Sequence, residues 1–135
     1  MHKEEVAMLN DSKVFSGYSV ADMAMAKQFY QDVLGLTVTE DWMGLKLTFS
    51  NGVVVFLYQK DDHVPATFTV LNFPVDDIDS VVDDLTTKGV VFERYPDMPG
   101  GQDDKGIMRG KAANQGPDIA WFKDPAGNIL SVLSS

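Results

Sequence analysis

The sequence has no cysteine among its 135 residues. That excludes a disulfide framework, a thiolate metal site and a cysteine nucleophile, and it fits a reducing compartment. No run reaches the roughly 18 apolar residues that a membrane-spanning helix needs, so no membrane partner is expected. The opening Met1-His2-Lys3-Glu4-Glu5 lacks the basic-then-apolar layout of a signal peptide. The Asn10-Asp11-Ser12 triplet therefore reads as a chance match to a glycosylation pattern, and the cytoplasm is the expected location. Positive charge is scarce: 11 basic side chains stand against 20 acidic ones, for a net charge of −9. A polyanion partner needs a basic face, so nucleic acid is not an expected partner, and the acidity mainly favours solubility. Histidine is scarcer still, with only His2 and His63.

What is present is globular in character, 44% apolar and 23% charged. Residues 1–13 are polar and aperiodic and read as a flexible N-terminal arm. Val14 to Val20 then reads as a strand, and Asp22 stands where a helix N-cap belongs. Ala26, Phe29, Tyr30, Val33 and Leu34 recur at helical spacing, and Gly35 ends the run. Leu36 to Glu40 reads as a strand, and Leu45–Phe49 and Val53–Tyr58 as a hairpin turned at Asn51-Gly52. The second half repeats the order. Thr67 to Phe73 is a strand, Asp77 caps a helix with Ile78, Val81, Val82 and Leu85 on one face, and Gly89 ends it. Val90 to Glu93 is the next strand. After a long connection over residues 96–116, Asp118–Phe122 and Ile129–Leu133 close as a hairpin through Asp124-Pro125-Ala126-Gly127-Asn128.

The two halves correspond position by position. Val20 and Asp22 match Val75 and Asp77 at an offset of 55, and Gly35 matches Gly89 at 54. A repeat of this period points to duplication of one strand-helix-strand-strand-strand unit. The expected architecture is α+β: a single domain over residues 14–135, made of two modules at 14–60 and 66–135.

Val20-Ala21-Asp22 with Phe29-Tyr30-Gln31-Asp32-Val33-Leu34-Gly35-Leu36 resembles the first-module signature of the vicinal oxygen chelate superfamily, which gathers glyoxalases, bleomycin-resistance proteins and extradiol dioxygenases. Val75-Asp76-Asp77-Ile78-Asp79 resembles its second-module helix start. Trp121-Phe122-Lys123-Asp124-Pro125-Ala126-Gly127-Asn128 resembles its closing strand-turn-strand. The resemblance implies tandem βαβββ modules whose curved mixed sheets form a cup, usually in a homodimer. In the metal-dependent branches it also implies two ligands per module, one on the first strand and one on the fourth.

Counted from the capping aspartates and the turn glycines, those ligand positions fall on Phe15, Phe56, Val70 and Ser131. Phenylalanine and valine have no donor atom, and a neutral serine hydroxyl is a poor ligand for a divalent transition ion. A one-residue slip brings forward Ser16, Leu57, Leu71 or Val132, which is no better. No metal and no cofactor are expected. His63, in Asp61-Asp62-His63 between the modules, reads as a solvated linker residue.

Strand alternation places Phe15, Gly17 and Ser19 on one face with Val54, Phe56 and Tyr58. In the second module it gathers Phe68, Val70 and Asn72 with Ile129, Ser131 and Leu133. The expected lining of a small-molecule pocket is Phe15, Ser19, Phe56, Tyr58, Val70, Asn72 and Ser131, with Trp121 stacking on a planar ligand and Arg109 as an anion contact in the long connection. The same side chains also suit a filled core. Trp42 can stack or pack. No catalytic constellation stands out, since Ser131 lacks a placed histidine, and Glu40 and Glu93 read as strand-end charges. The favoured function is metal-independent binding of a small hydrophobic or aromatic molecule by a homodimer. The alternatives are an enzyme of the lyase, isomerase or dioxygenase-like kind with non-standard site residues, and a filled cup serving interaction.

Overall fold

The computed structural model describes residues 8–135. The arm expected over residues 1–13 lies in part outside the described residues. Within them, Ser12 closes a turn, its N–H and hydroxyl donating to the Leu9 carbonyl at 3.1 and 2.8 Å.

The first module runs β1 (Ser16–Val20), α1 (Met23–Gln28), β2 (Thr37–Glu40), β3 (Leu45–Thr48) and β4 (Val54–Gln59). Asp22 caps α1 from extended backbone, its carboxylate accepting the Met25 N–H at 2.9 Å. The helix widens into a π-type turn over Phe29–Val33 and stops at Gly35, whose φ of +72° is open to glycine. The second module runs β5 (Thr69–Pro74), α2 (Ile78–Thr87), β6 (Met108–Arg109), β7 (Asp118–Lys123) and β8 (Ile129–Ser134). The strand orders are β1-β4-β3-β2 and β5-β8-β7-β6, with the first and last strands of each module parallel and the other pairs antiparallel. Two βαβββ modules of mixed sheet make an α+β fold, as the repeat implies. No helix among the described residues is long and apolar enough to cross a membrane.

One strand departs from expectation. Val90 to Glu93 is not a strand: Phe92 makes a single bridge to Phe122, and the Glu93 N–H donates to the Trp121 carbonyl at 2.8 Å. Pairing with β7 resumes only at Met108, opposite Ile119. Between these pairs the chain runs through fifteen residues on one side and two on β7, so thirteen are looped out. Nor is the long connection structureless. The Gln102 amide donates to the Glu93 and Gly106 carbonyls at 2.9 and 2.8 Å and accepts the Tyr95 N–H at 2.7 Å. One Asp103 carboxylate oxygen accepts the N–H groups of Lys105 and Ile107, both at 2.9 Å, over a wholly buried Ile107. Side-chain amides and carboxylates here satisfy backbone groups that a ladder would otherwise pair.

Each sheet packs its helix with one face. Leu45, Leu47, Val55 and Leu57 are buried in the first module, as are Ala120, Phe122, Leu130 and Val132 under Ile78, Val82 and Leu85 in the second. The modules are joined through Asp124 in the β7–β8 turn, which is only 4% exposed. One of its oxygens accepts the N–H groups of Ala126 and Asn128, both at 2.9 Å. The other accepts Asn128 Nδ2 at 3.0 Å and the Tyr30 hydroxyl at 2.8 Å. Tyr30 spends its one proton on the carboxylate, so the Tyr18 hydroxyl, 2.7 Å away, donates to Tyr30. Burial above all pushes both phenols above their usual range, which keeps them neutral donors.

Asn128 Nδ2 reaches the Ser19 carbonyl at 2.9 Å, and His63 completes the seam. Its Nε2 lies 2.9 Å from the Ala126 carbonyl, which can only accept, so Nε2 carries the proton. In the neutral ring Nδ1 then accepts from the Ser19 hydroxyl at 2.7 Å. His63 is thus half-buried and doubly bonded, not the solvated linker residue expected from its acidic neighbours.

Asp124→Ala leaves two side-chain donors and two backbone N–H groups without their acceptor, and urea unfolding should show a loss of about 3 kcal/mol. A loss under about 1 kcal/mol would mean that the seam does not hold the modules together. Gly44→Ala tests a close approach. A Cβ there would overlap the Leu57 carbonyl oxygen and stand 2.9 Å from Phe56 Cζ. Because backbone must yield, a loss of about 2 kcal/mol is expected in the same assay, and an unchanged midpoint would refute the contact.

Candidate functional site

The faces turned away from the helices carry two equivalent rows. In the first module, Gly17, Phe56 and Lys46 lie side by side across β1, β4 and β3. In the second, Asn72, Ser131 and Trp121 lie side by side across β5, β8 and β7. Gly17 is needed beside Phe56, since a Cβ there would stand 2.9 Å from the Phe56 carbonyl oxygen. The Phe56 and Tyr58 rings stack at 6.2 Å and 22°.

The residues expected to line a pocket are divided among several places. Phe15 and Phe56 share a cavity of about 690 Å³ with Met43, Val54, Lys46 and Asp41. Ser19, Tyr58 and Val70 share a second, of about 380 Å³, between the edges of β1 and β5. Asn72, Ser131 and Trp121 form the second-module row. Ser131 is wholly buried and its hydroxyl donates to Asn72 Oδ1 at 2.5 Å. Trp121 is half-buried, with Tyr95 edge-on at 5.5 Å and 78°. Trp42, at 90% exposure in the β2–β3 turn, meets neither row.

Strict alternation fails on β5. Thr69 pairs with Ile129 and Leu71 with Leu130, so Val70 is the extra residue of a bulge. Asn72 does fall beside Ser131, but the face-sharing expected of Phe68, Val70 and Asn72 is broken there. Arg109 stands apart from the rest. Its guanidinium holds Asp79 at 2.6 and 3.0 Å and Asp103 at 2.9 Å, with Asp118 at 3.6 Å. The hydrogen bonds from Arg109 keep the Asp79 carboxyl well below the usual range. That network ties the looped-out segment to α2. Glu40 pairs with Lys27 at 3.2 Å and Glu93 with Lys123 at 3.6 Å, on separate sheets.

The four ligand positions do not fit a metal. Phe15 precedes β1, Phe56 sits at the centre of its row, Val70 is in the bulge and Ser131 is committed to Asn72. No group of three or more histidine, aspartate or glutamate side chains suited to a metal occurs among the described residues. Lys46 was not among the expected site residues. A two-residue turn at Asn51-Gly52 would set Leu47 opposite Phe56; the loop instead spans three residues, with the Phe49 N–H donating to the Val53 carbonyl at 3.0 Å, and this register sets Lys46 opposite Phe56.

The family model for the Glyoxalase/Bleomycin resistance protein/Dioxygenase superfamily matches residues 14–132. Among solved structures, a member of that superfamily from Sphaerobacter thermophilus is 24% identical, with a TM-score of 0.65 over 94% of this chain and 100% of the other. TnmS3, an antibiotic binding protein from a Streptomyces species, is 20% identical, with a TM-score of 0.60 over 92% and 97%. The fosfomycin resistance protein FosX from Listeria monocytogenes is 12% identical, with a TM-score of 0.65 over 93% of each chain. At these identities the likeness is one of fold. No curated protein matches the sequence. The paired βαβββ sheets and a family match across both modules lead to one conclusion: the chain belongs to the Glyoxalase/Bleomycin resistance protein/Dioxygenase superfamily.

Proposed function

We propose that the protein is a metal-independent, cytoplasmic binder of a small, flat hydrophobic or aromatic molecule, held over the Phe56 row by a homodimer. The observation that carries this reading is the uncovered aromatic surface of the two cavities, with Phe15 at the larger and Tyr58 and Phe68 at the smaller. Phe15 is 62% exposed, Phe68 67% and Tyr58 39%. Exposed aromatic surface at a cavity is normally covered by a ligand or a partner. The cavity volume of about 690 Å³ suits a molecule of drug size. The side chains at the family's ligand positions favour contact over chelation. Likeness of fold to an antibiotic binding protein agrees with the reading by analogy alone.

The enzymatic alternative has one observation in its favour, the 2.7 Å bond between His63 and Ser19, which lines the smaller cavity. A hydroxyl donating to an imidazole is the core of an activated nucleophile. Here the other ring nitrogen meets a backbone carbonyl, which gives less support to an imidazolium than a carboxylate would. Binding therefore stands first.

Protein purified without chelators should carry far less than one transition-metal ion per chain by elemental analysis, and a stoichiometric ion would sink metal independence. Light scattering coupled to gel filtration should give a mass near twice the 14.9 kDa chain. A single-chain mass at micromolar concentration would refute the dimer. In a thermal-shift screen, polycyclic aromatic compounds near 100-fold above their Kd should stabilise by about 2.7 kcal/mol. If no aromatic compound raises the midpoint, the binding reading fails.

A further inference from the structure

We propose that the molecule taken up over Phe56 is an aromatic anion and that Lys46 selects it. This rests on the binding reading above and names the chemical class that reading leaves open.

The case begins with where the scarce positive charge goes. Eight described cations hold a carboxylate or a backbone carbonyl of this chain: Lys27, Lys60, Lys88, Arg94, Lys105, Arg109, Lys111 and Lys123. Among the described residues Lys13 and Lys46 have no such partner, and both line the cavity over Phe56. In a chain with net charge −9, two ammonium groups without a carboxylate partner among the described residues concentrate positive potential at one cavity. The carboxylate in the lining, Asp41, is engaged by the turn, where one oxygen accepts the Met43 and Gly44 N–H groups at 2.8 and 3.1 Å.

Position separates the two lysines. Lys13 lies in the irregular segment before β1, whereas Lys46 is on β3, directly opposite Phe56. In the duplicated row the same place is taken by Trp121. The two modules thus put a cation and an indole at matching points on equivalent faces. A ring lying on Phe56 would carry an acidic substituent toward Lys46, where an ammonium makes a charge-assisted bond beside an apolar wall. The alkyl stem of the lysine adds apolar contact to the ring.

A matched pair of fluorescent probes tests this. 1-Anilinonaphthalene-8-sulfonate and N-phenyl-1-naphthylamine share one ring system and differ by the sulfonate. At low ionic strength the wild type should bind the sulfonate about tenfold more tightly, a preference that salt weakens. Lys46→Met should remove that preference and leave the neutral probe within about twofold, since its stem is retained. Lys46→Arg should keep the preference. Lys88→Met, remote and exposed, should change neither probe and controls for net charge. Equal binding of the two probes by the wild type, or an unchanged preference in Lys46→Met, overturns the assignment to Lys46 while the cup reading stands. Phe56→Leu should weaken both probes. If it weakens neither, or if neither probe binds the wild type, the cup reading fails and takes this inference with it.

Discussion

A buried carboxylate with no cationic partner among the described residues must collect enough hydrogen bonds to offset its lost hydration, and Asp124 does so by drawing donors from both halves of the chain. Two backbone N–H groups come from its own turn, so the tight bend after β7 forms around it. The Tyr30 hydroxyl comes from the helix of the other module, 94 residues away in sequence. Asn128 turns the same centre outward to the Ser19 carbonyl, and His63 fastens Ser19 to the turn a second time. Relative placement of the two sheets follows from this seam. So does the gap between the edges of β1 and β5, whose walls include Ser19 and Asn128.

Duplication gives both sheets one pairing scheme, and divergence between the copies gives the faces their character. Where one module sets a bare glycine, a phenylalanine and a lysine in a row, the other sets an asparagine, a serine and a tryptophan. The second row is internally satisfied: serine bonds asparagine, and tryptophan packs on Tyr95. The first row keeps its aromatic ring and its charge available. Such asymmetry makes the first module's face the place to look for chemistry with a partner molecule.

Legibility in the sequence followed the range of each interaction. Asp22 and Asp77 cap helices through bonds spanning three residues, and Gly35, Gly52 and Gly89 take positive φ at stops and turns, so local signals sufficed. The bulge at Val70 has no local mark: its neighbours are all strand-formers, and only pairing with β8 reveals the extra residue. The interrupted strand after α2 was partly legible. Val90 to Glu93 has strand composition, but the thirteen-residue excursion takes up most of the partner ladder, and Gln102 and Asp103 take over the bonding. The setting of His63 has no local mark, because its aspartate neighbours have the composition of a solvated linker, whereas its partners Ser19 and Ala126 are 44 and 63 residues distant. The place of Lys46 is not legible from Asn51-Gly52 alone, because a two-residue turn there would set Leu47 opposite Phe56, and only the three-residue loop closed by Phe49 and Val53 brings Lys46 into that position.

The excursion inside the second module also shortens one sheet edge at which another chain could pair. A protein that leaves an aromatic sheet face open is at risk of stacking through its sheet edges as well. Here β6 is an outer strand cut to two residues, and its continuation at Phe92 is one bridge long. The corresponding outer strand of the other sheet, β2, has four residues, and Glu40 at its end is paired with Lys27. These two rims offer little free backbone, and the longer outer strands, β1 and β5, instead lie on either side of the smaller cavity, so each copy's least protected edges are turned toward its own interior.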